Sequence, residues 1–249
     1  MTNVRLEVED LIAEIRFDRP QKMNAVTPEM ADAIAEICRE VDRREDVRVV
    51  MLTGAGDKAF CAGSDLNALA KYPSAWAFRN RTEYATAFRD IRKPVVAALK
   101  GWVLGGGAEI ALSADIRVAD ETARIGFPEV KHGWVGGGGA SQMLPRLCGY
   151  GQAMRLLLTG DIIDVAEART LGFVEDVVPA GEAETAARAL CTRIAAHVPV
   201  ATEAVKASVR MGIAAGLDSG LRYENEMNTL CFTTGDHTKG IQAFQRKKD

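Results

Sequence analysis

The chain has 249 residues, 47% of them hydrophobic, enough to bury one large core or two small ones without disulfide or metal staples. Its 31 basic and 34 acidic residues leave a net charge of -3, which offers no one-signed field for nucleic acid or an anionic membrane. Five scattered cysteines without a CxxC pair fit reduced thiols, and three scattered histidines give no metal motif. No apolar run approaches the roughly twenty residues that span a bilayer. Met1-Thr2-Asn3-Val4 shows no basic-then-apolar leader, so a cytoplasmic location is expected.

In chain order, Ile12–Phe17 alternates, with Ala13, Ile15 and Phe17 on one side and Glu14 and Arg16 on the other, the pattern of a half-buried strand. Residues 4–8 are its expected hairpin partner. Asp18-Arg19-Pro20 ends the pattern, and Thr27-Pro28-Glu29 supplies an N-cap, a first-turn proline and an early acid. The helix that follows carries Met30, Ala33, Ile34, Ile37 and Val41 at core-facing spacing. Residues 47–52 read as a strand, apolar but for Arg48. Gly54-Ala55-Gly56-Asp57-Lys58-Ala59 then matches a GxGxxA dinucleotide fingerprint, but Phe60-Cys61-Ala62-Gly63-Ser64 carries no helical stripe. A strand followed by a turn is therefore preferred to a cofactor loop. Residues 66–89, broken by Pro73, predict one or two short helices over the core, as a lid that shapes a pocket.

Residues 94–99 predict a strand and 108–114 a helix, with Gly105-Gly106-Gly107 at the junction. Backbone N–H groups at a helix start lack internal partners, and glycine allows close approach, so this corner suits an anion or a developing oxyanion. A packing corner, where glycines merely let helix lie on strand, is the competing reading. Further on, 116–119 and 123–127 are short strands, and Pro128-Glu129 leads into a loop. Gly136-Gly137-Gly138-Gly139, before a helix over 140–148, is either another helix start near an anion or a flexible turn; alone it reads as the turn. Residues 156–161 and 166–172 predict helix, turn and helix, and 174–178 a strand ended by Pro179. From Glu182 the chain is helical and alanine-rich, with breaks at Pro199 and Gly212. The order predicts an α/β core over 1–181 and a helical C-terminal region over 182–249.

Four separated segments together resemble the enoyl-CoA hydratase/isomerase (crotonase) superfamily over nearly the whole chain. They are Arg19-Pro20-Gln21-Lys22-Met23-Asn24-Ala25, Ala59-Phe60-Cys61-Ala62-Gly63-Ser64-Asp65-Leu66, Lys93-Pro94-Val95-Val96-Ala97-Ala98 leading to Gly105-Gly106-Gly107-Ala108-Glu109, and Phe127-Pro128-Glu129. The resemblance implies a spiral of ββα units, with C-terminal helices driving a homotrimer or a dimer of trimers. It places the main-chain N–H groups of Ser64 and Gly106 around the thioester carbonyl of an acyl-CoA. It aligns Glu109 and Glu129 with the two catalytic carboxylates of hydratases. For the rest of the substrate it points to Gln21, Lys22, Met23, Ala62, Asp65, Leu66, Gly105 and Gly137, with an exposed-lysine reading of Lys22 kept beside the phosphate one. CoA enters as substrate carrier, so no metal and no separate cofactor is expected, and fatty-acyl metabolism is the expected setting. Two features depart from the hydratase pattern: Gly136-Gly137-Gly138-Gly139-Ala140-Ser141-Gln142-Met143, and Lys131-His132 with the bulky Trp134 after the second acid. These side chains either alter the acyl pocket or face solvent or a subunit contact.

The chemistry explains why these residue types belong together. Adding water beside a thioester pushes negative charge onto its carbonyl oxygen, and preorganised N–H donors stabilise that enolate. Hydration also needs an ionised carboxylate to activate water and a protonated one to supply the α-carbon; two acids in a poorly solvated pocket divide those roles. The expected division gives Glu109 the water and Glu129 the α-carbon proton. The expected activity is enoyl-CoA hydration, reversible with dehydration. An isomerase or other lyase acting on a branched or cyclic acyl-CoA is the alternative, followed by a non-catalytic CoA-binding subunit and then a nucleotide-dependent dehydrogenase.

Overall fold

The computed structural model describes residues 3–238. Ten strands are present among them: β1 (Val4–Glu9), β2 (Ile12–Phe17), β3 (Val49–Gly54), β4 (Ala59–Cys61), β5 (Val95–Leu99), β6 (Trp102–Leu104), β7 (Ile116–Asp120), β8 (Arg124–Gly126), β9 (Ile162–Asp164) and β10 (Asp176–Val178). The helices are α1 (Pro28–Arg43), α2 (Leu66–Leu69), α3 (Ala75–Arg79), α4 (Ala87–Asp90), α5 (Gly106–Ser113), α6 (Ala140–Cys148), α7 (Tyr150–Thr159), α8 (Val165–Thr170), α9 (Ala183–Ala195), α10 (Pro199–Ala214) and α11 (Leu217–Thr233). Successive strand pairs divide between two sheets. One has the order β1-β2-β3-β5-β7-β10 and the other β4-β6-β8-β9, so β3/β4, β5/β6 and β7/β8 each give one strand to each sheet before the next helical segment. This is the expected spiral of ββα units.

The central strands of the six-stranded sheet are buried on both faces, which explains the unbroken apolar runs of β3 and β5. Val50, Leu52, Val95, Ala97 and Leu99 face the main core with Met30, Ile34 and Val41 of α1. Val49, Met51, Val96 and Ala98 face the other way, against Ala183, Ala187, Cys191 and Ala195 of α9. The helix α1 starts where its cap predicts, with Thr27 Oγ1 accepting from the Met30 N–H at 3.3 Å. Phe17 meets Phe60 and Phe88 edge to face, with ring centroids 5.4 and 6.1 Å apart, and so ties β2, β4 and α4 together.

Several boundaries differ from expectation. Three-residue strands β4, β6 and β9 are not anticipated by the sequence, β6 lying in a stretch given no element, because three residues are too few to show a period. The lid region forms three short helices, and Pro128–His132 is a 3-10 turn where a loop was expected. Gly212 lies inside α10 and lets that helix approach α11: a Cβ on Gly220 would stand 3.1 Å from the Gly212 Cα. Past the boundary expected near Glu182, α9 covers the sheet, while α10 and α11 pack chiefly on each other. Residues 239–249 of the expected C-terminal region lie outside the described residues.

Candidate active site

The small sheet organises the site. Its strands β4, β6 and β8 are parallel neighbours, so their C-terminal ends emerge side by side. Ser64 follows β4, Gly105 and Gly106 follow β6, and Glu129 follows β8, which brings three distant pieces of chain to one edge. Gly105 makes the turn with φ +52°, in the left-handed region that favours glycine, and Gly106 is the first residue of α5. A Cβ on Gly63 would stand 2.9 Å from the Gly106 nitrogen, so the two turns lie against each other. Among the described residues, neither the Ser64 nor the Gly106 N–H donates to a protein acceptor. The corner is thus a pair of adjacent free amides, which the packing-corner reading does not require.

Glu109 lies one turn into α5, 4% exposed. Its Oε1 accepts hydrogen bonds from the N–H groups of Gly138 at 2.9 Å and Ala140 at 3.1 Å, at the start of α6. The four-glycine run is therefore a helix start wrapped around an anion, not a free turn, and the anion is this carboxylate. The wrap depends on glycine: a Cβ on Gly138 would stand 2.8 Å from Glu109 Oε2 and 2.5 Å from the Ala85 Cβ. Glu129 closes the other side, 3.3 Å from where a Cβ on Gly105 would stand. Burial pushes the Glu109 carboxyl up to about 7, the nearby Glu129 and Glu83 charges adding to it and the two N–H donors opposing it. Burial also raises Glu129, while its own backbone and His132 pull it back. Burial thus makes both carboxyls harder to ionise than in water.

The raised value couples this carboxyl to stability. The unfolded chain ionises Glu109 at its ordinary 4.5 and the native protein at about 7. Its contribution is therefore intact below pH 4.5 and is lost as pH rises to about 7, a cost of at most ~3 kcal/mol. Glu109→Gln keeps an oxygen for Gly138 and Ala140 and removes the charge. Its melting temperature relative to the parent is expected to climb between pH 4.5 and 7.5; a difference independent of pH would contradict the buried-carboxyl assignment.

The expected substrate-binding residues fall into two groups. On one side, Gln21, Lys22 and Met23 are exposed, and the Met23 carbonyl accepts from the Ala62 N–H at 3.0 Å. Lys22 and Asp65 line a cavity of about 570 Å³ with Arg19, Lys71 and Tyr72, and exposed Leu66 follows Asp65. The Asp65 carboxylate is already engaged, by Arg19 at 2.7 Å and by the first N–H groups of α2. Its first task is to hold this wall rather than a ligand. Buried Asn24 staples the same wall, donating from Nδ2 to the carbonyls of Ala55, Ala59 and Phe60.

On the other side, Trp134 packs on Phe78, centroids 5.9 Å apart, and the Arg81 guanidinium lies 4.0 Å over the Phe78 ring. Arg81 and Glu83 both approach Gly137, and pair with each other at 3.5 Å. Trp134 thus joins the lid, whereas Lys131 lies along Gly160 at the end of α7. Arg81, Glu83 and Tyr84 carry no motif in sequence; only their position in the lid marks them. Tyr84 is the most intimate, its hydroxyl 2.8 Å from Ser64 Oγ. Among the described residues, no group of three or more His, Cys, Asp or Glu is placed to hold a metal ion, and no helix is long and apolar enough to cross a membrane.

Comparison with known proteins places this arrangement. Residues 7–249 match the family model described as Enoyl-CoA hydratase/isomerase. The chain is 35% identical over 251 residues to the Short-chain-enoyl-CoA hydratase of Clostridium acetobutylicum, covering all of this chain and 96% of that one. It is 34% identical to the (E)-benzylidenesuccinyl-CoA hydratase of Thauera aromatica, covering 98% and 96%. The crystal structure of an enoyl-CoA hydratase from Bacillus anthracis superposes with a TM-score of 0.94 at 33% identity, over 99% of this chain and 97% of that one.

Proposed function

The chain belongs to the enoyl-CoA hydratase/isomerase family and is an enzyme of the hydro-lyase type, and from that premise we propose how its residues act. It adds water reversibly to a 2-enoyl-CoA, giving the 3-hydroxyacyl-CoA. The N–H groups of Ser64 and Gly106 receive the thioester oxygen. Glu109 takes a proton from water as the oxygen of that water bonds to the β-carbon. The π electrons move onto the thioester oxygen, and Glu129 then delivers a proton to the α-carbon. The reaction as written runs on side chains and main chain alone, with CoA as the substrate's handle. The observation that carries this reading is two free N–H groups beside a buried carboxyl, Glu109, pushed up to about 7, and a half-buried one, Glu129, also raised by burial.

Lys22, Lys71 and Arg19 face the cavity that we assign to the phosphates of CoA, and Phe78, Trp134, Arg81 and Glu83 cluster beside Gly137 on the side we assign to the acyl group. The decisive assay is loss of the conjugated enoyl-thioester absorbance with crotonyl-CoA, run beside a 3-enoyl-CoA. Turnover of the first supports hydration; turnover of the second alone would replace it with isomerisation, and CoA binding without turnover would leave a binding subunit.

We propose a cytoplasmic setting in fatty-acyl metabolism and a homotrimer or a pair of trimers. Supporting the oligomer, Val205, Val209 and Ile213 of α10 and Leu217 and Leu221 of α11 are more than half exposed, an apolar display that association between copies would cover. A monomer at micromolar concentration in sedimentation would contradict it.

A further inference from the structure

We propose that the hydroxyl pair of Tyr84 and Ser64 supplies a third hydrogen-bond donor to the thioester oxygen, beside the two main-chain N–H groups. The inference rests on the hydratase reading and extends its oxyanion site. Tyr84 is only 8% exposed, yet its hydroxyl is directed to Ser64 Oγ at 2.8 Å. The same oxygen lies 2.0 Å from where a Cβ on Gly106 would stand. It therefore touches both residues whose N–H groups are free.

The proton inventory makes this contact useful. Two hydroxyls carry two protons, and among the described residues they form one hydrogen bond, to each other. Whichever oxygen donates within the pair, one O–H remains for a ligand. Among the described residues that O–H meets no other protein acceptor, and the enolate oxygen is the strongest acceptor the reaction creates nearby. Burial holds the phenol well above its ordinary range, with the neighbouring Cys61 adding to this and the Ser64 bond opposing it. The phenol thus keeps its proton and remains a donor. No O–H bond of the pair breaks: the donated hydrogen bond strengthens as the π electrons reach the thioester oxygen and relaxes when they return to bond the α-carbon proton.

The test compares the parent with Tyr84→Phe, Ser64→Ala and the double variant, all of which retain both main-chain donors. The double variant is expected to lose about 10-fold to 100-fold in kcat for crotonyl-CoA hydration, and each single variant less, because the remaining hydroxyl takes over in part. Two binding readouts separate this role from packing. A CoA thioether, in which CH2 replaces the carbonyl, should bind the double variant and the parent alike. The near-ultraviolet enolate band of bound acetoacetyl-CoA should weaken in the double variant. Turnover within about 3-fold of the parent would overturn the inference. So would a thioether affinity that falls in step with kcat, which would make the pair a packing contact. A parent protein inactive on every 2-enoyl-CoA would instead overturn the hydratase reading itself.

Discussion

Glu109→Gln should lower kcat for hydration by about 10²–10⁴-fold while leaving acyl-CoA binding intact. Glutamine is nearly the same shape and keeps an oxygen for the N–H groups of Gly138 and Ala140, so the start of α6 stays in place. What it loses is the ability to accept a proton from water. If Glu129 alone handles the α-carbon, any 3-enoyl-CoA isomerisation by the parent should survive in part. Steady-state rates on the two substrates check this. Equal loss of both activities would contradict the division of labour, and retained hydration would remove Glu109 from the mechanism.

Gly106→Ala carries the second large effect, an expected fall of about 10²–10³-fold in kcat. The new Cβ would stand 2.0 Å from Tyr84 Oη and 2.9 Å from its Cζ, closer than non-bonded atoms tolerate. Tyr84 is packed and cannot swing clear cheaply, so either the ring moves or the first turn of α5 rotates its N–H off the oxyanion position. Gly151→Ala is the matched control: it also lies at a helix start, in α7, and its Cβ would meet nothing within 4 Å. The control should match the parent in rate. A Gly106→Ala enzyme of parental activity would contradict the tight approach of Tyr84 to this turn, since the added methyl would have been absorbed without displacing the N–H.

What the sequence made legible, and what it hid, follows from length and locality. The α1 cap, the β1–β2 hairpin and the long buried strands β3 and β5 announce themselves because each carries enough residues to show a period or a terminus. Of the site, only the glycine corner at 105–107 was marked by local chemistry; the two acids were nameable only through the family resemblance, since Glu109 and Glu129 are 20 positions apart and share no helix face. Their meeting depends on β4, β6 and β8, each three residues long, of which only β8 showed in the sequence as a short strand. The glycine run 136–139 shows the same limit. Locally it resembles a turn, and its role appears only once the Glu109 carboxylate occupies the space that side chains would fill. Tyr84 was illegible for the converse reason: it sits in a segment of mixed alanine, charge and aromatics, and only the tertiary approach to Ser64 and Gly106 distinguishes it from Tyr72.

The most direct measurement is a crystal structure of the protein with bound acetoacetyl-CoA. The thioester oxygen is expected within hydrogen-bond reach, about 3 Å, of the nitrogens of both Ser64 and Gly106. The α- and β-carbons are expected to lie between the carboxyl groups of Glu109 and Glu129. A thioester oxygen bound away from both amides, or either carboxylate turned out of the acyl cleft, would contradict it.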